Sequence, residues 1–322
     1  MATLGLHIVP TMAVDDIVTL IAEAEAMGYT HCLLADEGFM PDVHATLALA
    51  ARATTGIMLG PVTNGYTRHP AVTATALATL DEISGGRAFV TMLAGGSMVL
   101  PPMGIERRSP LGVVREAIEV MRLLWSGETV DYEGRHFRLD GARCTMGRHD
   151  VPVWIAARGP KLLALTGRVA DGTLLTVKPD LPHALELITN ARPTGAPPLT
   201  RGYIGRVCHT PQMVAEQART FPYILMDSPR RVIDAFGFTP EQLLIIDKAI
   251  ADDDPEPIAA MATQEMLRLY QIAGTPAECR AEFDRVVADN DLDVVMIDVL
   301  EPDLSANLAV LRATLEITAA AR

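Results

Sequence analysis

The sequence has few aromatic residues and too little positive charge for a nucleic-acid-binding protein. Aromatic side chains make up 5% of the 322 residues, with two Trp, so a stacking platform for single-stranded nucleic acid is not expected. The formal net charge is −13, whereas a nucleic-acid-binding surface needs clustered Lys and Arg. An anionic ligand would therefore need a local pocket of basic side chains or backbone N–H groups.

Cysteines, long apolar runs and metal-binding motifs are also scarce. The four cysteines lie far apart without a CxxC pair, which predicts a reduced, cytoplasmic protein. No apolar run is long enough to cross a bilayer, and the N-terminus lacks the basic and apolar regions of a signal peptide. No group of His, Asp and Glu has metal-like spacing and there is no GxSxG nucleophile motif, so neither a metal site nor a serine nucleophile is predicted.

What the sequence does contain is a repeated alternation of short apolar runs with helical patterns, in a chain that is 49% hydrophobic. Continuous apolar runs are typical of strands buried on both faces of a parallel sheet. The eight predicted strands lie in GLHIVP, HCLLAD, GIML, RAFVTMLAGG, VPVWIAARG, TLLTV, RGYIGRVCHT and DVVMIDVL. Eight strand–helix units favour a closed (β/α)8 TIM barrel over an open doubly wound sheet, and no GxGxxG follows the first strand. We therefore expect one domain, residues 1–322.

Two segments interrupt this alternation. Residues 128–145 contain two short alternating runs around Glu133-Gly134, which predicts a β-hairpin outside the core. Residues 211–290 are helical, with acidic and Pro-rich stretches such as IADDDPEPI. Within them, the Arg230-Arg231 pair could meet an anionic ligand, although a solvated surface is the favoured interpretation.

In a barrel of this kind the active site lies where the strands end, at the C-terminal face. His7 on the first strand is a candidate acid–base residue, although a lone His on an apolar strand is more often a packing residue. Asp36 and Glu37 follow the second strand and, being adjacent, point in different directions. Asp36 can accept hydrogen bonds from a ligand or cap the next helix, and Glu37 can donate or accept a proton.

Residues that expose the backbone end two further strands. Gly95 and Gly96 would let a flat ring approach the backbone closely, although a tight turn explains them equally well. The segment Ala157–Gly159 precedes Pro160 at a predicted helix start, where free N–H groups and the charge of Arg158 suit a phosphate. A plain strand-to-helix turn is an equally good interpretation of that segment. A planar cofactor fits these features better than a metal ion does.

Four blocks of sequence resemble one known family. They read VTNGYTRHPAVTATALATLDEISGGRA, LAGGS, LWSGETVDYEGRHFRL and VPVWIAARGPKLLALTGRVADG. They are similar to the luciferase-like flavin and deazaflavin superfamily, and most of all to its branch that uses coenzyme F420, such as methylene-tetrahydromethanopterin reductase. The resemblance covers residues 4–180 closely and the last strand and helix more loosely. It implies a TIM barrel with a deazaflavin cofactor and association as a homodimer.

The resemblance also explains the polar stretch LGPVTNGYTRHP after the third apolar run. It implies a non-prolyl cis peptide bond at Pro61–Val62 or its immediate neighbour, with a bulge that supports the central ring of the cofactor. Tyr66 and Arg68 would line this bed and hold the loop. The residues that the resemblance assigns to cofactor binding are Asp36, Pro61, Val62, Asn64, Gly95, Gly96, Ala157, Arg158 and Gly159.

The sequence departs from the family pattern at the residues that handle protons. Glu37 stands where several members have a catalytic His, and Ser97 stands after the glycines where others have an acid. His7 replaces an acid on the first strand. We therefore predict that His7 or Glu37 is the proton partner, with Tyr66 as a weaker candidate.

The function that follows is an F420-dependent oxidoreductase, which transfers hydride between the deazaflavin and a C=C, C=N or C=O group of a small organic substrate. Two alternatives remain open at this point. One is an FMN-dependent luciferase-like monooxygenase, and the other is a flavin-binding protein without turnover. We expect neither a membrane nor a nucleic-acid partner.

Overall fold

Eight parallel strands form a closed barrel in the computed structural model, which describes residues 2–96 and 98–319. The strands lie side by side in chain order, and the last closes against the first. They span Thr3–Ile8 (β1), His31–Ala35 (β2), Met58–Asn64 (β3), Val90–Leu93 (β4), Val153–Ala156 (β5), Gly172–Leu175 (β6), Thr200–Gly205 (β7) and Val294–Val299 (β8). The predicted (β/α)8 TIM barrel is confirmed.

A helix follows each strand of the barrel. These helices span Val14–Met27 (α1), Val43–Ala53 (α2), Pro70–Ser84 (α3), Pro110–Leu124 (α4), Pro160–Val169 (α5), Leu181–Ala191 (α6), Pro276–Asn290 (α7) and Leu304–Thr318 (α8). Several begin with Pro at the first helical position, where its missing N–H costs no hydrogen bond. At α3, the Nδ1 atom of His69 also accepts from the N–H of Ala71 at 3.2 Å, so the polar loop ends in a helix cap.

Along the strands, successive side chains point alternately into the barrel interior and outward to the surrounding helices. On β1, Leu6 and Ile8 pack outward against the helices. On β8, Met296 belongs to the interior cluster, which consists of Leu33, Val62, Phe89, Trp154, Leu174, Ile204, Val294 and Met296. The interior is therefore a packed, mainly apolar core rather than an open pore.

The predicted hairpin is confirmed and lies beside α4. Its strands span Val130–Glu133 and Arg138–Ala142 and pair antiparallel. The carboxylate of Glu116, on α4, is 2% exposed and accepts from the N–H groups of Arg135, His136 and Phe137 at 2.8 to 3.4 Å. Although burial opposes ionisation, these donors hold the pKa of Glu116 below its usual value and fix the hairpin to the barrel.

The predicted helical segment between the seventh and eighth strands is also present. Its short helices span Pro211–Glu216, Phe221–Met226, Arg230–Asp234, Pro240–Asp252, Glu256–Met261 and Gln264–Tyr270. They enclose a separate core that contains Phe221, Phe236 and Tyr270. The segment begins and ends at a two-residue parallel pairing of Val207–Cys208 with Ile272–Ala273.

Two predictions about the strands need correction. The predicted seventh strand continued through Cys208, but β7 ends at Gly205, because the backbone N–H of Arg206 turns to the side chain of Gln271 at 2.8 Å. The predicted cis bond at Pro61–Val62 or its neighbour is wrong, since residues 2–96 and 98–319 contain no cis peptide bond. β3 pairs with β2 as far as Val62 and with β4 as far as Asn64.

Within the described residues, no helix is both long enough and apolar enough to cross a membrane.

Candidate active site

Five neighbouring strands bring most of the predicted site residues to one rim of the barrel. His7 lies on β1, Asp36 and Glu37 follow β2, and Asn64 ends β3. Gly95 and Gly96 follow β4, which lies beside β3. β8 lies on the other side of β1 and adds Asp298. These residues form a continuous arc along the carboxyl ends of the strands, where barrel enzymes place their chemistry.

His7 and Asp298 form a hydrogen-bonded pair across the closure of the barrel. They are direct register partners of β1 and β8, and Nδ1 of His7 lies 2.8 Å from Oδ1 of Asp298. Their side chains are 14% and 15% exposed. Because Leu6 and Ile8 face the helices, His7 faces the barrel mouth. Sequence reasoning missed Asp298, although an acid inside the apolar run DVVMIDVL was a usable signal.

Asp36 and Glu37 point in different directions, as predicted from their adjacency. Asp36 accepts from the buried hydroxyl of Thr63 at 2.7 Å. It does not cap the next helix, because Asp42 occupies that position and accepts from the N–H of Ala45 at 2.9 Å. Burial raises the pKa of Glu37, His7 opposes this shift, and the negative charge of Asp36 adds to it. Glu37 therefore keeps its proton to a higher pH than an exposed Glu does.

The side chains of the β3 loop hold its backbone in place. Oδ1 of Asn64 accepts from the N–H groups of Tyr66 and Thr67 at 2.8 and 3.0 Å, an Asx turn. The hydroxyl of Tyr66 donates to the carbonyl of Arg108 at 2.8 Å. Arg68 pairs with Asp42 at 2.8 Å. The loop is thus tied both to the start of α2 and to the segment after β4.

Gly95 and Gly96 have different backbone requirements. Gly95 has φ of +88°, and a Cβ there would lie 2.5 Å from a methyl group of Leu100. Among the side chains of residues 2–96 and 98–319, chain neighbours aside, a Cβ on Gly96 would meet Val99 alone, at 3.8 Å. Gly95 is therefore required by its conformation and packing, whereas Gly96 leaves space open at the end of the strand.

The segment Ala157–Gly159 joins β5 to α5. Gly159 is the N-cap residue, without a side-chain cap, and a Cβ on it would meet no atom of the described part of the chain within 4 Å, its chain neighbours aside. The guanidinium of Arg158 turns away from this helix start, since its Nε donates to the hydroxyl of Thr176 at 3.1 Å and it also donates to the carbonyl of Ile224 at 3.4 Å. Burial lowers the pKa of Arg158, and the charge of Asp227 opposes that shift.

The two arginines of the helical segment have different surroundings. Arg230 is exposed and pairs with Asp234 at 2.7 Å and Asp247 at 3.2 Å. Arg231 pairs with the buried carboxylate of Asp180 and donates to the carbonyl of Arg158 at 2.9 Å. Arg231 therefore fixes the backbone beside Gly159, whereas Arg230 lies on the surface.

Sequence reasoning also missed His44, near the start of α2. Burial, followed by the charge of Arg68, lowers its pKa, and Asp42 and Asp36 oppose the shift. Neither ring nitrogen of His44 has a hydrogen-bond partner within residues 2–96 and 98–319. A neutral imidazole behind Asp36 thus has unused hydrogen-bonding capacity next to the strand-end residues.

A cavity of about 700 Å³ lies at the opposite, amino end of the barrel. Its arginines include Arg122, which pairs with Asp171 at 2.9 Å. Arg192 is bonded to the carbonyls of Gly167 and Ala170, both at 3.2 Å. Arg192 therefore serves the end of α5, where unpaired carbonyls need donors, and Arg122 neutralises a carboxylate. The cavity lies on the far side of the barrel from the strand-end residues.

Comparison with known proteins places the chain in a family. Residues 2–290 match the model of the luciferase-like monooxygenase family. The chain belongs to this family, which confirms the resemblance found in the sequence.

Individual relatives within the family are named by a particular activity. The 5,10-methylenetetrahydromethanopterin reductase of Methanolobus tindarius is 32% identical over 305 residues, which cover 92% of this chain and 93% of the relative. An F420-dependent glucose-6-phosphate dehydrogenase of Mycobacterium avium is 31% identical over 177 residues, covering 50% of this chain and 53% of the relative. The solved structure of a coenzyme F420-dependent tetrahydromethanopterin reductase from Methanopyrus kandleri is 25% identical, with a TM-score of 0.82 and 97% of both chains covered.

Proposed function

We propose that this protein is an F420-dependent oxidoreductase that transfers hydride between the deazaflavin and a C=C, C=N or C=O group of a small organic substrate. The observation that carries the proposal is the acid–base cluster of His7, Glu37 and Asp298 at the carboxyl mouth of the barrel. The similarity to a coenzyme F420-dependent reductase over 97% of the chain supports the choice of cofactor.

The strand ends fit a flat cofactor with an anionic tail. Gly96 leaves open space beside β4, and Gly159 leaves open space at the first turn of α5. The unpaired N–H groups of that turn suit a phosphate, and Arg231 holds the neighbouring backbone in place. Arg158 is already bonded to Thr176, so we assign the phosphate to backbone N–H groups rather than to its guanidinium. The residues proposed to line the cofactor are Asp36, Pro61, Val62, Asn64, Gly95, Gly96, Ala157, Arg158 and Gly159.

The residues of this chain supply the proton and the orientation, while bound F420 supplies a carbon that gives or accepts hydride. Reduction of a C=O or C=N group needs a proton at oxygen or nitrogen as well as the hydride at carbon. Glu37 can donate this proton because burial raises its pKa. His7 faces the same mouth and can donate this proton instead, with Glu37 then restoring the proton to His7. Tyr66 is the weakest candidate, since its hydroxyl already donates to the carbonyl of Arg108.

We also propose that residues 1–322 form one cytoplasmic domain that associates as a homodimer. The four cysteines are buried and unpaired, in keeping with a reducing compartment. Leu49 on α2 and Val72 on α3 are each 52% exposed, so the second and third units present apolar side chains that a second copy could cover.

The first experiment is a fluorescence titration of the apo protein with F420 and, separately, with FMN. Micromolar or tighter binding of F420 with weak binding of FMN is expected, and it justifies a screen of enones, imines and pterins as substrates with reduced F420. A preference for FMN contradicts the proposal and favours the monooxygenase alternative, to be tested by oxygen consumption with reduced FMN. Tight binding without turnover across the screen favours a non-catalytic binding protein.

A further inference from the structure

A carboxylate from the last strand lies against the candidate acid–base residue of the first. Asp298 and His7 are 291 residues apart in sequence, and their side chains meet at 2.8 Å because β8 closes the barrel against β1. An ionised carboxylate can only accept hydrogen bonds. The Nδ1 atom of His7 must therefore carry the hydrogen of this bond, which leaves Nε2 as the nitrogen available for proton exchange.

We propose that Asp298 is a positioning residue, which fixes His7 in the Nδ1–H tautomer and orients Nε2 toward the barrel mouth. This inference rests on the proposed function for its catalytic meaning, but the tautomer is a property of the apo protein. In a reduction, an imidazolium would give its Nε2 proton to the oxygen or nitrogen of the substrate as hydride reaches the carbon. The ring would then be neutral, with its remaining hydrogen on Nδ1 held by Asp298.

The surroundings of the pair support this role. Both side chains are largely but not completely buried, so the imidazole is held rigidly and still reaches the mouth. Glu37 lies close enough for the charge of His7 to affect its pKa, and we assign it the return of a proton to Nε2. Asp36 lies on the opposite face of the β2 end and accepts a hydrogen bond from Thr63. The proton exchange is therefore assigned to Glu37 rather than to Asp36.

The chain contains a matched pair that serves as a control. His149 and Asp81 form the same Nδ1–carboxylate bond, at 2.9 Å, with side chains 10% and 17% exposed. Asp81 lies in the last turn of α3 and His149 lies before β5, so this pair is at the amino end of the barrel. Replacing Asp81 thus tests the loss of an equivalent buried bond away from the cofactor site.

The deciding measurement is ¹⁵N NMR of histidine-labelled apo protein, comparing wild type with Asp298→Asn and Asp81→Asn. Wild-type His7 is expected as the Nδ1–H tautomer. In Asp298→Asn the amide can donate to Nδ1, so the Nε2–H tautomer should become substantial, as carboxylate-to-amide replacement does in a catalytic triad. Asp298→Glu, which restores a carboxylate, should return the Nδ1–H tautomer and covers the case in which the amide variant folds poorly.

Turnover measurements then test whether the tautomer of His7 affects catalysis. With reduced F420 and a substrate found in the screen, Asp298→Asn should lower kcat on the order of 10²-fold with little change in KM or F420 affinity. Asp81→Asn should leave kcat unchanged. An unaltered His7 tautomer in Asp298→Asn would overturn the inference even if F420 binds. Weak F420 binding with the expected tautomer change would instead reject the proposed function and leave the positioning role of Asp298 intact.

Discussion

Each end of the barrel carries a buried histidine–aspartate pair, and one of the two pairs lies in the candidate active site. His7–Asp298 and His149–Asp81 have nearly the same bond lengths and exposures. Around His7 lie Glu37 with a raised pKa and strand ends with open backbone. Around His149 lie arginines with structural partners, Arg122 paired with Asp171 and Arg192 bonded to the carbonyl of Gly167 near the end of α5. The geometry of such a pair therefore does not define a site, whereas its place in the fold does.

The difference between the ends follows from the direction of the helices. At the carboxyl ends of the strands, helices begin, and their unpaired N–H groups favour anions. At the amino ends, helices finish with unpaired carbonyls, which need donors. Arg192 meets that need for the end of α5 through the carbonyls of Gly167 and Ala170. One end is thus suited to a phosphorylated cofactor and the other to structural cations.

The largest expected effect is on kcat, and it should follow substitution at His7 but not at His149. The double variant His7→Ala, Glu37→Gln removes both proton partners and should lower kcat on the order of 10³-fold, since acid–base catalysis contributes about 10²- to 10⁴-fold. His149→Ala should leave kcat within about twofold, although it loses a buried hydrogen bond worth about 1 kcal/mol. Steady-state kinetics with reduced F420 check both variants. Full turnover in the double variant would refute the assignment of His7 and Glu37.

A smaller effect is expected at the amino end, on stability alone. Glu25 accepts from the N–H groups of Thr55, Gly56 and Ile57 ahead of β3. Burial raises its pKa, but these donors and Arg87 hold it below the usual value. The contribution of Glu25 to folding stability is therefore fully present above the ordinary Glu pKa of about 4.3 and is lost as pH falls through the lowered pKa.

Glu25→Gln should thus destabilise the protein at pH 7 by about 1–2 kcal/mol, the cost of losing charged hydrogen bonds, with F420 binding unchanged. Urea unfolding at pH 7 and in the acid range measures the difference. A penalty that does not shrink at low pH would show that the carboxylate charge is not responsible.

Replacing a glycine by alanine should weaken cofactor binding at the carboxyl end of the barrel and leave it unchanged at the amino end. A methyl group at Gly96 fits the apo protein but occupies the space proposed for the cofactor. Gly96→Ala should weaken F420 binding about fivefold, which corresponds to about 1 kcal/mol. Gly56→Ala, whose Cβ would lie 3.4 Å from a carboxylate oxygen of Glu25, is the control and should bind F420 normally in the same titration. Equal affinities would move the cofactor away from the end of β4.

The smallest effect concerns the pH dependence of stability at the carboxyl end. Burial and the charge of Asp36 raise the pKa of Glu37, and the charge of His7 opposes the shift. The contribution of Glu37 to folding stability is therefore fully present below the ordinary Glu pKa and is lost as pH rises through the raised pKa. Glu37→Gln should therefore gain stability relative to wild type as pH rises, opposite in sign to Glu25→Gln. Thermal unfolding at pH 4 and pH 8 measures this. The same sign in both variants would contradict the contrast between the ends.

Local patterns in the sequence were sufficient to predict the barrel, its hairpin and several helix starts. Continuous apolar runs indicated parallel strands, and Pro160 after Ala157–Gly159 indicated the start of α5, because both signals depend on neighbouring residues alone. The family was also predicted from short blocks such as NGYTRHP, whose loop geometry depends on the local Asx turn of Asn64.

The tertiary structure decided the partners of the site residues. Barrel closure joins His7 to Asp298, and packing of the helical segment turns Arg158 toward Thr176 and Ile224. The backbone of β3 is trans, contrary to prediction, and β3 pairs with β4 as far as Asn64. By itself, the sequence determined the fold and the strand ends that form the candidate site, because residue periodicity and strand ends are local. Hydrogen-bond partners and pKa values depend on burial and on groups far apart in the chain, so only the folded protein determines them.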